Sequence, residues 1–363
     1  MAPKAAALAE AERLMEAFRR AGALPVEADI LQPAEVLLDL YGEDIRARTY
    51  VTADPLRGEM MLRPDFTVPV VQQHMTEGAE PARYCYAGEV FRKQEHLSDR
   101  RSEYVQVGYE VFTRDDPADA DAEVFSLFNA VLGDLHLRAA TGDIAILMAA
   151  VRALNTLPSR KAALLRHIWR PRRFTQLLAR FGGTAPVPPT RATLLEALAA
   201  GRTPEAGPLL GLRSRAEIDA RLAALREDAA APPISAEEVA RLQDLLDLTA
   251  RSPAALAQLR ELSREMPAIL PAVDRMEARL NALARRGVDV EALDFEASHG
   301  RTTLEYYDGF VFSFHAADPA LPPVASGGRY DALTAVLGAG RSIPAVGGVI
   351  RPGLVADLRG APC

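Results

Sequence analysis

At 363 residues the chain is longer than one average domain and shorter than three, so two units, or one core with an insertion, are expected. A hydrophobic fraction of 49% and a charged fraction of 25% exclude disorder as the main state, and 42 basic against 49 acidic residues, net −7, argue against wrapping a nucleic-acid backbone. Two cysteines, Cys85 and Cys363, exclude a disulfide framework or a cysteine-rich metal site and point to a reducing compartment. The first ten residues carry no apolar leader, and no apolar run approaches the ~20 residues that span a bilayer. The expectation is a soluble, cytoplasmic protein without a membrane segment.

The first element is an amphipathic helix. Leu8, Ala11, Met15 and Phe18 recur at helical spacing, and Gly22 suits its stop. Strand-like runs follow at 48–52, 84–93, 104–112 and 143–147, rich in the Tyr, Val and Phe that half-buried strands prefer. Residues 117–138 read as a helix with Ala122, Phe125, Phe128 and Leu132 on one face. Asp115-Asp116 before it reads as a polar turn.

Residues 151–235 change to an Ala-, Leu- and Arg-rich composition broken by Pro-bearing joints at 182–189 and 229–233. They read as a helical insertion between two parts of a core, 1–150 and 236–363. Ser235 and Glu238 have capping-box spacing, Ser252-Pro253 reads as N-cap and N1, and a helix from about Pro271 carries Val273, Met276, Leu280 and Leu283 before Gly287. Strand and turn patterns return at 305–314 and 325–330. The fold class is α+β.

The chain has no P-loop, no H-E-x-x-H, no C-x-x-C and no G-x-S-x-G. The six histidines show no metal-ligand spacing and read as surface or packing residues. The informative stretch is the hairpin at 84–112. Alternation puts Tyr84, Tyr86, Gly88, Val90 and Arg92 on one face of its first strand. On the second strand Tyr104, Gln106, Gly108 and Glu110 share one face, and Val105, Val107, Tyr109 and Val111 the other. Gly108 leaves room for something to lie on the sheet. A guanidinium, an amide and a carboxylate on one face suit a zwitterion, with the guanidinium forking onto a carboxylate or phosphate. The same pattern fits a hairpin with a solvated polar face. Three further segments bear on the choice. Arg63-Pro64-Asp65-Phe66-Thr67 sets an acid and a hydroxyl beside a proline, Leu304-Glu305-Tyr306-Tyr307-Asp308-Gly309 sets two tyrosines before a turn, and Ser326-Gly327-Gly328-Arg329-Tyr330-Asp331 lets backbone approach a ligand closely.

In order and spacing these segments resemble the catalytic core of histidyl-tRNA synthetase, a class II synthetase. The likeness runs over roughly residues 1–150 and 285–350. Arg63–Thr67 is similar to R-P-E-x-T. The hairpin is similar to motif 2, with F-R-x-x-E at 91–95 and Q-x-G-x-E at 106–110. Leu304–Gly309 is similar to the histidine-specific L-D-Y-Y, and 327–333 to G-G-R-Y-D-x-L. Two departures matter. An arginine of the synthetases falls on Thr302 here, beside Arg301. Their ATP-binding arginine falls on Leu354, after a Pro352 expected to interrupt a helix. The chain also stops too soon for an anticodon-binding domain.

A synthetase-like core that keeps histidine-contacting residues without the ATP chemistry resembles the regulatory subunits of ATP phosphoribosyltransferase. The resemblance implies an antiparallel sheet core flanked by helices, with a helical insertion, and no catalytic residues, metal or cofactor of its own. It implies a short catalytic subunit as partner, a homodimer core inside a larger hetero-oligomer, no tRNA, and L-histidine as feedback effector in the first step of histidine biosynthesis. By the same resemblance Asp65, Thr67 and Gln106 take the α-ammonium, Glu110 and Tyr307 the imidazole, and Arg92 the carboxylate, while Tyr306 lines the wall. Asp65 is one methylene shorter than the glutamate it replaces. Weaker binding of histidine than in a synthetase follows. The alternatives are a truncated synthetase paralogue that activates histidine, and a histidine sensor with no enzyme partner.

Overall fold

The computed structural model describes residues 3–41, 45–94, 101–202, 214–301 and 306–360. Its strands are β1 (Leu24–Pro25), β2 (Leu31–Pro33), β3 (Val51–Asp54), β4 (Gly58–Leu62), β5 (Ala82–Phe91) and β6 (Glu103–Phe112). Then come β7 (Arg138–Asp143), β8 (Thr249–Arg251), β9 (Asp294–Glu296), β10 (Phe310–His315), β11 (Ala325–Arg329) and β12 (Ala345–Ile350). Nine form one sheet in the order β1-β5-β6-β12-β11-β10-β7-β9-β8, and β2, β4 and β3 form a small second sheet. Every neighbouring pair of the large sheet is antiparallel except β1–β5 and β7–β9. This is the expected antiparallel core flanked by helices.

The two faces of the large sheet differ as the alternation in β6 requires. Val105, Val107, Tyr109 and Val111 join Phe18, Phe125, Phe128 and Val355 in one apolar layer, under the helices Lys4–Arg20, Pro117–Val131 and Pro352–Gly360. Phe18 stacks on Phe128 with ring centres 5.6 Å apart. The opposite face carries Tyr86, Gln106, Gly108 and Glu110. It is covered by the helices Thr67–Glu77 and Ile144–Ala153 and by part of the helical segment 151–235, including Leu164, Ile168, Phe174 and Leu177. Helices Pro158–Arg166, Pro171–Phe181, Pro189–Ala199 and Arg215–Ala230 make up most of that segment. Asp228 of the last ties it to the other three, 2.6 Å from Arg160, 2.6 Å from Arg191 and 3.4 Å from Arg180.

Several expectations change locally. Leu8 is 48% exposed, and the buried stripe of the first helix is Ala7, Ala11, Leu14, Met15 and Phe18. The run at 143–147 is not a strand. Asp143 ends β7 and caps the next helix, its carboxylate accepting the Ala145 N–H at 3.0 Å. The run at 48–52 is split between the helix Ile45–Arg48 and β3. The helix expected over 117–138 ends at Val131. Ser252 sits inside its helix, its hydroxyl donating to the Leu293 carbonyl at 3.0 Å, and Arg251 is the N-cap. Pro352 does not interrupt a helix but begins one, where its missing N–H costs nothing. Ser214 and Glu217 form a full capping box that sequence reading passed over. Glu95, Thr302, Leu304, Glu305 and Cys363 lie outside the described residues. No described helix is long and apolar enough to cross a membrane.

Candidate functional site

Strand register builds the site. Tyr84 opposes Glu110, Tyr86 opposes Gly108 and Gly88 opposes Gln106 across β5–β6, while Gly347 of β12 opposes Glu110 on its other side. These residues therefore share one face, as alternation predicts. Gly108 does not hold a space for ligand: a Cβ there would overlap the Tyr86 ring, so the missing side chain makes room for that tyrosine. Gly347 does the same for Glu110, since its Cβ would overlap Oε2.

Glu110 is 1% exposed and is the hub. Tyr86 donates its hydroxyl to Oε1 at 2.7 Å, Tyr330 donates to Oε2 at 2.6 Å, and Thr67 donates to Oε1 at 3.3 Å. Tyr306 in turn donates to the Thr67 hydroxyl at 3.3 Å. Burial outweighs these donors and pushes the Glu110 carboxyl up to about 7. A carboxyl poised there can meet an imidazole as acceptor or as donor. The Tyr307 ring centre lies 4.9 Å from that of Tyr306, and its phenol is held well above its ordinary value by burial and the neighbouring Glu110.

Asp65 and Gln106 complete the buried polar set. Burial raises the Asp65 carboxyl, against the pull of Arg92 and of the Thr67 and Val68 backbone N–H groups. Its Oδ1 has no hydrogen-bond partner, and neither has the amide oxygen or nitrogen of the fully buried Gln106. Unpartnered buried polar atoms are rare because each costs about 1–3 kcal/mol. Three such atoms lie on two neighbouring segments, beside Glu110. Arg92 lies just past β5, its Nε donating to the Pro64 carbonyl at 2.9 Å and its backbone N–H to Ser102. Beside it opens a cleft of about 720 Å³ whose lining includes Arg92, Lys93, Tyr104, Arg351 and Leu354.

All seven expected residues are among those described. Thr67, Glu110 and Tyr306 are joined by hydrogen bonds, Tyr307 packs on Tyr306, and Asp65 feels the charges of Arg92 and Glu110. Sequence reading missed Tyr86 and Tyr330 as partners of Glu110. Tyr86 shares its face by alternation, which is a usable signal; Tyr330 reaches it only through the folding of β11. Among the described residues no group of histidines, cysteines or carboxylates could hold a metal. His299 and His315 both meet the Ser313 hydroxyl, at 2.9 and 2.6 Å.

The raised Glu110 value has a pH consequence. Its unfolded carboxyl ionises near 4.5, while the folded one keeps its proton to about 7. The native state therefore binds more protons in that window, and its stability falls as pH rises, by about 3 kcal/mol from this group. Asp65 and Asp308 are shifted the same way, Asp308 to about 6. The difference between wild type and Glu110→Gln isolates the Glu110 share. Urea unfolding between pH 4.5 and 8 should show a shallower decline in the variant, and equal slopes would refute the shift.

The pattern of the family described as histidyl-tRNA synthetase matches residues 2–231 and 212–352. A relative from Brucella anthropi named ATP phosphoribosyltransferase regulatory subunit is 34% identical over 346 residues, 89% of each chain. One of the same name from Brucella canis is 33% identical over the same share. Among solved structures, an ATP phosphoribosyltransferase regulatory subunit/histidyl-tRNA synthetase from Bacillus halodurans superposes with a TM-score of 0.70 at 20% identity, covering 99% of this chain and 82% of that one. A histidyl-tRNA synthetase from Nostoc sp. superposes at 0.64 and 17% identity, covering 97% and 71%. The two structures establish the shared fold.

Proposed function

Since the chain belongs to the ATP phosphoribosyltransferase regulatory subunits, a family built on the histidyl-tRNA synthetase fold, we propose that it activates a short ATP phosphoribosyltransferase catalytic subunit and makes the complex sensitive to histidine. It carries no chemistry of its own. Leu354 and Thr302 stand where synthetases have cations, and each cation that steadies a transferring phosphate group is worth roughly 3–4 kcal/mol by analogy with oxyanion donors. Histidine is an effector here and not a substrate. The cytoplasm is its setting, and residues 151–235 are an insertion into the core.

The observation that carries the effector reading is the set of unpartnered atoms at Asp65 and Gln106 around the hydroxyl-held Glu110. Asp65, Thr67 and Gln106 receive the α-ammonium, Glu110 and Tyr307 address the imidazole, Arg92 takes the carboxylate, and Tyr306 closes the wall. Feedback needs histidine to prefer one global state over another, a coupling of roughly 1–3 kcal/mol. Exposed Ile30, Leu31 and Val51, on and beside the small sheet, and Leu24 on the edge strand of the large one offer apolar surface for the homodimer within the larger assembly.

Calorimetric titration of the full chain with histidine tests the pocket. Saturable binding is expected, weakened about 10- to 100-fold in Arg92→Ala, the worth of a charge-assisted hydrogen bond. Affinity untouched by that change would remove the role given to Arg92.

A further inference from the structure

Charge is distributed unevenly along the chain. Of its 42 basic and 49 acidic residues, 14 basic and six acidic ones lie in 151–235, so the helical segment is strongly positive while the remainder is strongly negative. Within 151–195 there are nine basic residues and no acidic one. Four of the nine, Arg166, Arg170, Arg172 and Arg173, gather at the corner where the helix Pro158–Arg166 gives way to Pro171–Phe181.

Little inside the segment neutralises them. Asp228 is already shared by Arg160, Arg180 and Arg191. Arg180 shows the crowding: burial, with the cations of Arg191, Arg173 and Arg160, pulls its guanidinium below the ordinary value against the attraction of Asp228. Arg152, Arg166, Arg172 and Arg173 are exposed, and among the described residues no carboxylate pairs with any of them. Arg172 and Arg173 also stand in the first turn of Pro171–Phe181, which has no acidic residue there. Cations are disfavoured at that end of a helix dipole, so local stability does not account for them. The same helix buries Phe174, Leu177, Leu178 and Phe181 in the core. The arginines are therefore carried on an anchored face.

We propose that the exposed face carrying Arg166, Arg172 and Arg173 docks an acidic surface of the catalytic subunit. The inference rests on the reading of the chain as a regulatory subunit and names where its partner sits. Guanidinium groups fork onto carboxylates, and a patch of one sign steers an oppositely charged partner as it approaches. A nucleic acid fits the face less well. A duplex carries one charge for about every 1.7 Å of its axis, and its backbone would run off the patch onto the acidic remainder of the chain. A protein face can end where the patch ends.

Association of the full chain with the short catalytic subunit from the same source is followed by surface plasmon resonance at low and at high salt. Wild type should associate faster at low salt. Arg172→Glu together with Arg173→Glu should slow association about tenfold or more at low salt and flatten the salt dependence. Acids in the first turn suit the helix dipole, so this variant should melt no lower than wild type, and it should bind histidine as wild type does. Arg264→Glu with Arg285→Glu makes the same change in net charge at exposed sites outside the segment, and should leave association near wild type. A wild-type rate indifferent to salt, a first variant that associates as wild type does, or an equal loss in the second pair overturns the docking face and leaves the regulatory reading intact. Wild type that does not bind a competent catalytic subunit overturns both. A labelled RNA hairpin bound by wild type and lost by the first variant, with subunit association unchanged, would give the face to nucleic acid and overturn the inference.

Discussion

Glu110→Ala is expected to lower histidine affinity at least about 100-fold and to cost roughly 2–5 kcal/mol of stability. The affinity loss follows from removing the carboxylate that the hydroxyls of Tyr86, Tyr330 and Thr67 hold in place. The stability loss follows from what is left behind. Tyr86 and Tyr330 are at most 1% exposed, so their hydroxyls cannot turn to water, and each unsatisfied donor costs about 1–3 kcal/mol. Part of this is offset, because a costly buried carboxyl is removed at the same time. Glu110→Gln retains an acceptor and should be milder on both counts. Calorimetry gives the affinity and urea unfolding the stability. An alanine variant that binds histidine as tightly as wild type would take Glu110 out of the site.

Gly347→Ala reaches the same carboxylate from below. The added Cβ would overlap Glu110 Oε2 and come within 2.8 Å of the Tyr109 carbonyl oxygen. Either the carboxylate leaves its bond to Tyr330 or β12 shifts against β6. Overpacking of this kind costs about 1–3 kcal/mol, and the displaced Glu110 should lose histidine nearly as completely as Glu110→Ala does. Gly133→Ala is the control, since nothing lies within 4 Å of its Cβ. Titration of the two variants side by side checks this, and undiminished binding by Gly347→Ala would mean that the position of Glu110 is not what the ligand reads.

Glu110 also shows how far the sequence reaches. Alternation alone put Gln106, Gly108 and Glu110 on one face and the valines on the other, because β6 is a long regular strand buried on both sides. Alternation could not say that Gly108 serves Tyr86, or that Tyr330 arrives on the far oxygen, since both depend on how separate strands come together. The strand β7 was missed because Arg-Ala-Ala-Thr-Gly-Asp lacks the bulky residues by which strands are recognised, while the apolar run after Asp143 is a helix capped by that residue. Pro352 misled for a related reason: a proline is a breaker inside a helix and a starter at its first position, and only the backbone tells which. The order of the four motif segments, more than any one of them, made the family legible. The orphaned atoms of Asp65, Gln106 and Arg301 had no sequence signal, because satisfaction of a polar group is a property of its surroundings.

The most direct test of the regulatory reading is reconstitution. The full chain is mixed with a short-form ATP phosphoribosyltransferase catalytic subunit from the same source, and the condensation of ATP with phosphoribosyl diphosphate is followed with and without histidine. The expected result is activity that depends on this chain and falls as histidine is added, with the fall weakened in Glu110→Ala. A competent catalytic subunit whose rate is indifferent to this chain would contradict it, and histidine-dependent exchange of pyrophosphate into ATP by the chain alone would point to a synthetase paralogue instead.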